Sequence, residues 1–193
     1  MVIQSRAIDP HWNYFVALDD DLVKLSRYVD LHEKNFDCYS IEIARILLAS
    51  AAEVDVICKQ LCKKVEPNSS ADNINAYRSE ITVAFPNLTK LKVLVPRFGL
   101  TLRPWDEWQN QGVPLWWTAY NKVKHHRHTD YEKASLKNSL NAVAGLFVVL
   151  LHLYKDKAVL GELAPNPQLL TLEHVDGMSI TGAGINVSYA LDR

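Results

Sequence analysis

Three cysteines in 193 residues, Cys38, Cys58 and Cys62, are too few for a disulfide framework. Cys58 and Cys62 stand four apart on an expected helix, with no second Cys or His pair near them in sequence. They read as small core residues, not as half of a zinc site. H-E-x-x-H is absent. A Gly-rich phosphate loop and a G-x-S-x-G elbow are also absent, so nothing points to a P-loop enzyme, a dinucleotide fold or a serine hydrolase. Neither sign of charge dominates: the formal net charge is -1, which gives no global basic field for nucleic acid. MVIQSRAIDPHW holds no apolar h-region, so no signal peptide is read and a soluble cytoplasmic protein is expected. No internal repeat and no low-complexity tract is present.

What is present is helical patterning. With 48% hydrophobic residues, the chain has enough apolar mass for one well-buried core. Asp9-Pro10 is a helix start, with Asp as N-cap and Pro at the first helical position. From His11 to Leu31, the residues Trp12, Phe15, Leu18, Leu22, Leu25 and Val29 recur at three and four positions. Asp19-Asp20-Asp21 reads as the solvated face of that helix, since adjacent side chains on a helix diverge. A second helix is predicted over about Tyr39 to Lys64, with a seam of Ile41, Ala44, Leu48, Ala51, Asp55, Cys58 and Cys62. Glu53 lies off that seam and is expected at the surface. Asp72 to Ile81 is a short helix at most. The run Asn138 to Tyr154 lacks charges but holds two Asn near its start and His152 near its end; it falls just short of a membrane span and reads as a central buried helix. Its seam is Leu136, Leu140, Val143, Phe147, Leu150 and Tyr154.

LKVLVPRFGLTLRP, broken by Pro96 and Gly99, predicts two short strands near Val93 to Leu102. LLTLEHV and MSITGAGINVSYAL, parted by Asp176-Gly177, predict a C-terminal β-hairpin. The expected fold is therefore mainly α: an up-and-down bundle over residues 1–160, with a strand-like insert at about 84–104, and a hairpin appendage over 161–193. Four of the five tryptophans, Trp105, Trp108, Trp116 and Trp117, crowd one stretch. Core anchoring is the simpler role for them; any left exposed would suit stacking on a nucleobase or contact with a partner. Both long seams hold more apolar surface than one bundle of this length needs, which points to a homodimer.

The densest chemistry lies in WWTAYNKVKHHRHTDYEK. Read as a helix, Trp117, Asn121, Lys124, His125 and His128 fall at i, i+4, i+7, i+8 and i+11 and share a face. Trp116, Tyr120 and Val123 lie on an apolar face. His125 is the candidate proton carrier, since an imidazole titrates near neutrality. Lys124 and Arg127 are candidate phosphate holders, and Asn121 a candidate orienter. The alternative is a polar helix end, where Lys, Arg and His complement the helix dipole. Thr129 and Glu132 have capping-box spacing, which predicts a fresh helix from about Asp130. Asp55, an acid in an apolar seam, needs a partner. It is either a site carboxylate facing the histidines or the partner of a Lys or Arg. A zinc reading would use His125 and His128 with Asp130 or Asp55; no metal and no cofactor is expected.

YNKVKHHR followed by a long apolar helix resembles the last-helix signature of HEPN domains (higher eukaryote and prokaryote nucleotide-binding). The family's hallmark is R-x4-6-H, commonly R-N-x-x-x-H. Asn121 and His125 match N-x-x-x-H, Arg127 matches a basic residue often found just beyond, and Tyr120 stands where the family has Arg. Asp55 is similar in placement to an acidic position on an earlier helix. The resemblance covers about Tyr39 to Lys64 and Val113 to Lys155. It implies an all-α, often dimeric protein directed at RNA, many of whose relatives are metal-independent ribonucleases of phage-defence or toxin–antitoxin systems. It implies His125, Arg127 and Lys124 as catalytic residues, with Asn121, Asp55, Tyr120 and His128 binding or orienting. The alternative function is a non-catalytic helical interaction or regulatory module for a cognate protein, with the Trp cluster and the hairpin edge as its surfaces.

Overall fold

The longest apolar stretch becomes the centre of the molecule. In the computed structural model, which describes residues 9–181 and 184–191, helix α5 (Leu136–Leu153) is buried at every position from Ala142 to His152. It is long and apolar enough to cross a membrane by composition, yet 78% of that window is buried inside the protein. The predicted seam is thus one stripe of a helix covered all round. Even His152 is inside: Nδ1–H donates to the Val148 carbonyl at 2.8 Å, and the ring meets Phe85 edge-on at 4.9 Å. The covering elements are α1 (Pro10–Leu25), α2 (Ile41–Val65), α3 (Ile74–Ala84), α4 (Leu115–Asp130) and the short α6 (Lys155–Leu160). The fold is mainly helical, with small antiparallel sheets.

α2 packs most extensively on α5. The Ser40 hydroxyl starts it by accepting from the Ile43 amide at 3.2 Å. Its buried stripe runs through Ile43, Leu47, Ser50, Val54, Ile57 and Leu61. The predicted seam is therefore offset: Ala44, Ala51, Cys58 and Cys62 are buried, while Ile41 is 78% exposed and Asp55 only partly covered. Glu53 is not a free surface acid either. It accepts from His11 Nδ1 at 2.5 Å, which joins α1 to α2.

α1 begins at Pro10 as predicted, but the Asp9 carboxylate does not cap it; it pairs with Lys157 of α6 at 2.6 and 2.8 Å. The helix stops at Leu25, short of the predicted Leu31. The Ser26 hydroxyl donates back to the Val23 carbonyl at 2.7 Å, and the chain tightens into turns. The expected solvated triplet separates in three directions. Asp19 is fully buried and accepts from the Gln168 and Leu169 amides at 2.6 and 3.1 Å. Asp20 accepts from the Gln168 side chain, and Asp21 pairs with Arg45.

The Trp cluster is core, not a partner surface. Trp105, Trp108, Trp116 and Trp117 are all buried. Trp105 Nε1 donates to the Gly145 carbonyl at 3.2 Å, and Trp116 Nε1 to that of Pro104 at 2.8 Å. A Cβ at Gly145 would sit 3.0 Å from Trp116 Cζ2, so this glycine lets the two rings close on α5.

β1 (Val93–Val95) and β2 (Leu100–Leu102) pair antiparallel, as predicted. A third strand, β3 (Thr171–Leu172), joins β1 with Leu172 opposite Val93, both buried. LLTLEHV is thus sheet edge, not a hairpin arm. The hairpin is β4 (Val175–Thr181) with β5 (Gly184–Tyr189). Asp176-Gly177 is not its turn but lies at a register shift inside β4, while the connection at 182–183 lies outside the described residues. Residues set apart as an appendage pack into the common core: Leu163, Leu169, Leu170, Leu172, Tyr189 and Leu191 are buried there. Tyr189 meets Phe147 of α5 edge-on at 5.6 Å, and Trp12 Nε1 donates to the Pro165 carbonyl at 3.0 Å.

Asp19 is the tie that holds this returning segment, and burial raises its pKa above the ordinary 3.8 despite the backbone donors. Asp19→Ala, which strands two amides, is expected to cost about 3 kcal/mol in urea denaturation. Because the folded value is raised, Asp19's contribution is complete below pH 3.8 and is lost as pH rises through the folded value. Asp19→Asn should therefore gain stability relative to wild type as pH rises across that range. A stability difference that stays flat with pH would contradict this placement of the carboxylate.

Candidate functional site

α4 is oriented by the residues it buries. Trp116, Ala119, Tyr120 and Val123 face the core, which turns Lys124, His125, Arg127 and His128 outward, all of them exposed. The helix does not break at His128 as predicted. It kinks at His126, whose φ of -134° and ψ of 39° are not helical. Nor does a helix restart at Asp130: a 3-10 turn follows at Tyr131–Lys133, and α5 begins after Ser135, whose hydroxyl accepts from the Asn138 amide. Tertiary pairing decides this. The Leu136 and Lys137 amides donate to the Cys38 and Phe36 carbonyls at 2.8 and 3.1 Å, so the start of α5 is set by the turn before α2.

Between α2 and the kinked end of α4 lies an open groove of about 1350 Å³. Its α2 wall is Ile41, Ala44, Arg45, Leu48 and Ala49. The other wall is Lys124, His125, Arg127, His128 and Tyr131. Among the described residues no carboxylate lines it. Arg45 is anchored, with Nε on Glu42 and Nη2 on Asp21, each at 2.8 Å, and both partners raise its pKa. Lys124 and Arg127 make no ion pair among the described residues; the Lys124 ammonium lies 5.4 Å from the centre of the Tyr120 ring. The lining thus combines cationic side chains with apolar surface.

The other candidates sit elsewhere. A second cavity, of about 550 Å³, is lined by Asp55, Tyr120, Asn121 and Trp117 among others, and Lys124 lines both. Asp55 accepts from Lys59 Nζ at 2.5 Å and from the Tyr77 hydroxyl at 2.8 Å. The Tyr77 pKa rises through burial and this carboxylate, and the Lys59 pKa rises mainly through the hydrogen bond to it. Of the two roles open to Asp55, the structure has it as partner of a lysine. Asn121 donates to the Trp117 carbonyl at 3.2 Å and does not meet the imidazole. Tyr120 is 6% exposed and belongs chiefly to the core. Among the described residues no three His, Cys, Asp or Glu side chains are placed to share a metal ion. Cys58 and Cys62 are buried thiols; burial pushes Cys62 up to about 12, with Glu80 adding to it.

Three groove residues escaped the sequence reading, Arg45, Ala49 and Tyr131. Ile41, Arg45 and Leu48 stand at i, i+4 and i+7, a helical face that could have been set against the histidines. Tyr131 had no such signal, because the turn that places it follows from the kink. Comparison with protein-family models, with curated proteins and with solved structures finds no match to this chain.

Asp55→Ala separates the two cavities experimentally. It should lower stability by about 1–3 kcal/mol, since the Tyr77 hydroxyl loses its acceptor, and should leave affinity for inorganic polyphosphate within about twofold of wild type. A large loss of polyphosphate affinity in a fully folded variant would mean that Asp55 acts on the groove after all.

Proposed function

We propose that the groove between α2 and α4 binds RNA through its phosphates, on a HEPN-like helical scaffold that works as a homodimer. One observation carries this reading: Lys124 and Arg127, neither of them ion-paired, and two imidazoles line one concavity with the paired Arg45, and no acid is among the described residues that line it. Lys124 and Arg127, left without carboxylates at a concave surface, raise the local concentration of anions, whatever the net charge. The net charge of -1 is no obstacle, because the field at such a groove is local. The resemblance of YNKVKHHR to the HEPN signature adds RNA as the anion, and a defence or toxin–antitoxin setting.

His125 is the group placed to move a proton. In cleavage it would take the proton of a ribose 2'-hydroxyl as that oxygen attacks the adjacent phosphorus, the bond to the 5'-oxygen would break to leave a 2',3'-cyclic phosphate, and the 5'-oxygen would take its proton from water. Lys124 and Arg127 would offset the charge that builds on the phosphoryl oxygens. Acid–base help of this kind contributes roughly 10²–10⁴ in rate. A second reading, binding without cleavage, is favoured by Tyr120, which is buried at the family's Arg position, and by Asn121, whose amide is committed to the Trp117 carbonyl.

Titrating labelled single-stranded RNA at several salt concentrations tests the shared part. Lys124→Ala and Arg127→Ala should each weaken binding and flatten the salt dependence by about 0.7 in the log–log slope. Absence of any salt-dependent binding by wild type would overturn the proposal. His125→Ala then divides the two readings: loss of RNA cleavage at unchanged helix content supports catalysis, whereas cleavage absent from wild type and variant alike, with binding intact, supports the second.

A further inference from the structure

We infer that the groove selects single-stranded RNA and seats an unpaired nucleobase on the Tyr131 ring; this rests on the RNA-binding reading above and extends it to the class of RNA. Phosphate recognition alone explains the cations but not the apolar lining. Ile41 and Leu48 put apolar surface on the wall facing Lys124 and Arg127, and Tyr131 adds a ring on their own wall; Ile41 is 78% exposed. A duplex turns charged phosphates and sugars outward and keeps its bases stacked inside, so it has nothing to place on such a surface. An unpaired base has an apolar π-face, and aromatic side chains bind it regardless of sequence.

Tyr131 is set up as a platform. It is half-buried, lies in the 3-10 turn that follows Asp130, and lines the groove beside Arg127 and His128. The Tyr39 ring braces it edge-on at 5.4 Å and is itself 51% exposed. Tyr39 is fixed in turn by the antiparallel bridge between Tyr39 and Ser135. A ring held on one side by an edge contact, with the Arg127 cation four residues before it, has the arrangement that single-strand grooves use: a stacking surface with backbone charge beside it.

The test uses the full chain and three fluorescently labelled probes of about twelve units, a length that exceeds a single small binding site. These are oligouridylate, a ribose-phosphate strand of equal length without bases, and a blunt RNA duplex. Wild type should bind oligouridylate about tenfold more tightly than the base-free strand. Tyr131→Leu should lose that advantage and keep wild-type affinity for the base-free strand, which also certifies its fold, while Tyr131→Phe should behave as wild type. Equal affinity for the base-free strand and oligouridylate, equal or tighter binding of the duplex, or an unaltered preference in Tyr131→Leu would each overturn the inference and leave RNA binding standing. No binding of any probe would remove both.

Discussion

A helical stretch with no polar side must be covered on all sides. α5 is such a stretch from Ala142 to Leu151, and the rest of the molecule is arranged by that requirement. α2 lies along it, α1 and α4 flank it, and the chain after α6 returns to close what remains. Gly145 admits Trp105 and Trp116 to its surface, and Phe147 gathers Trp12, Phe15 and Tyr189. Because α4 buries Trp116, Tyr120 and Val123 against this body, its rotation about its own axis is settled. The outward direction of Lys124, His125 and Arg127 is a consequence of what α4 had to bury.

Closing the core brings a polar group inside with it. Asp19 stands on α1 among Phe15, Leu18 and Leu22, at a position where an acid is costly. The cost is offset only in part, by backbone amides from residues 168 and 169 on Oδ2 while Oδ1 stays buried without a hydrogen bond, and so a carboxylate near one end of the chain orders a segment near the other. The same returning segment places Leu169, Leu170 and Leu172 in the core and adds β3 to the small sheet. The hairpin that follows is therefore continuous with the core through Tyr189 and Leu191.

Charge is sorted between two neighbouring cavities. On one side of α4, Asp55 answers Lys59 and Tyr77, and a local network is satisfied. On the other side, Lys124 and Arg127, on either side of the kink at His126, line a groove with α2 that has no acid among its described lining residues, with an Arg45 held by its own partners Asp21 and Glu42. Exposed cations can be left unpaired at little cost, because water solvates them. The groove can thus carry its charge with no penalty to the fold, which is the condition for an anionic ligand to add its own interaction.

Much of the fold was legible because periodicity and turn chemistry are local. The Asp9-Pro10 start, the stripe of Trp12, Phe15, Leu18 and Leu22, the buried α5 and the Val93 to Leu102 strands all follow from spacing that a chain carries in itself. The cluster Lys124, His125, Arg127 and His128 was equally visible, and it does line one groove. Tertiary contacts alone decided the rest. The burial of Asp19, the pairing of Leu172 with Val93 and the anchoring of α5 by Phe36 and Cys38 each join residues far apart in sequence. So does the meeting of Arg45 with Lys124, and the separation of Asp55 from the histidines into another cavity. Sequence settles which residues share a face, since a helix turns by a fixed angle per residue. Which face meets which is settled only when a whole core is closed at once.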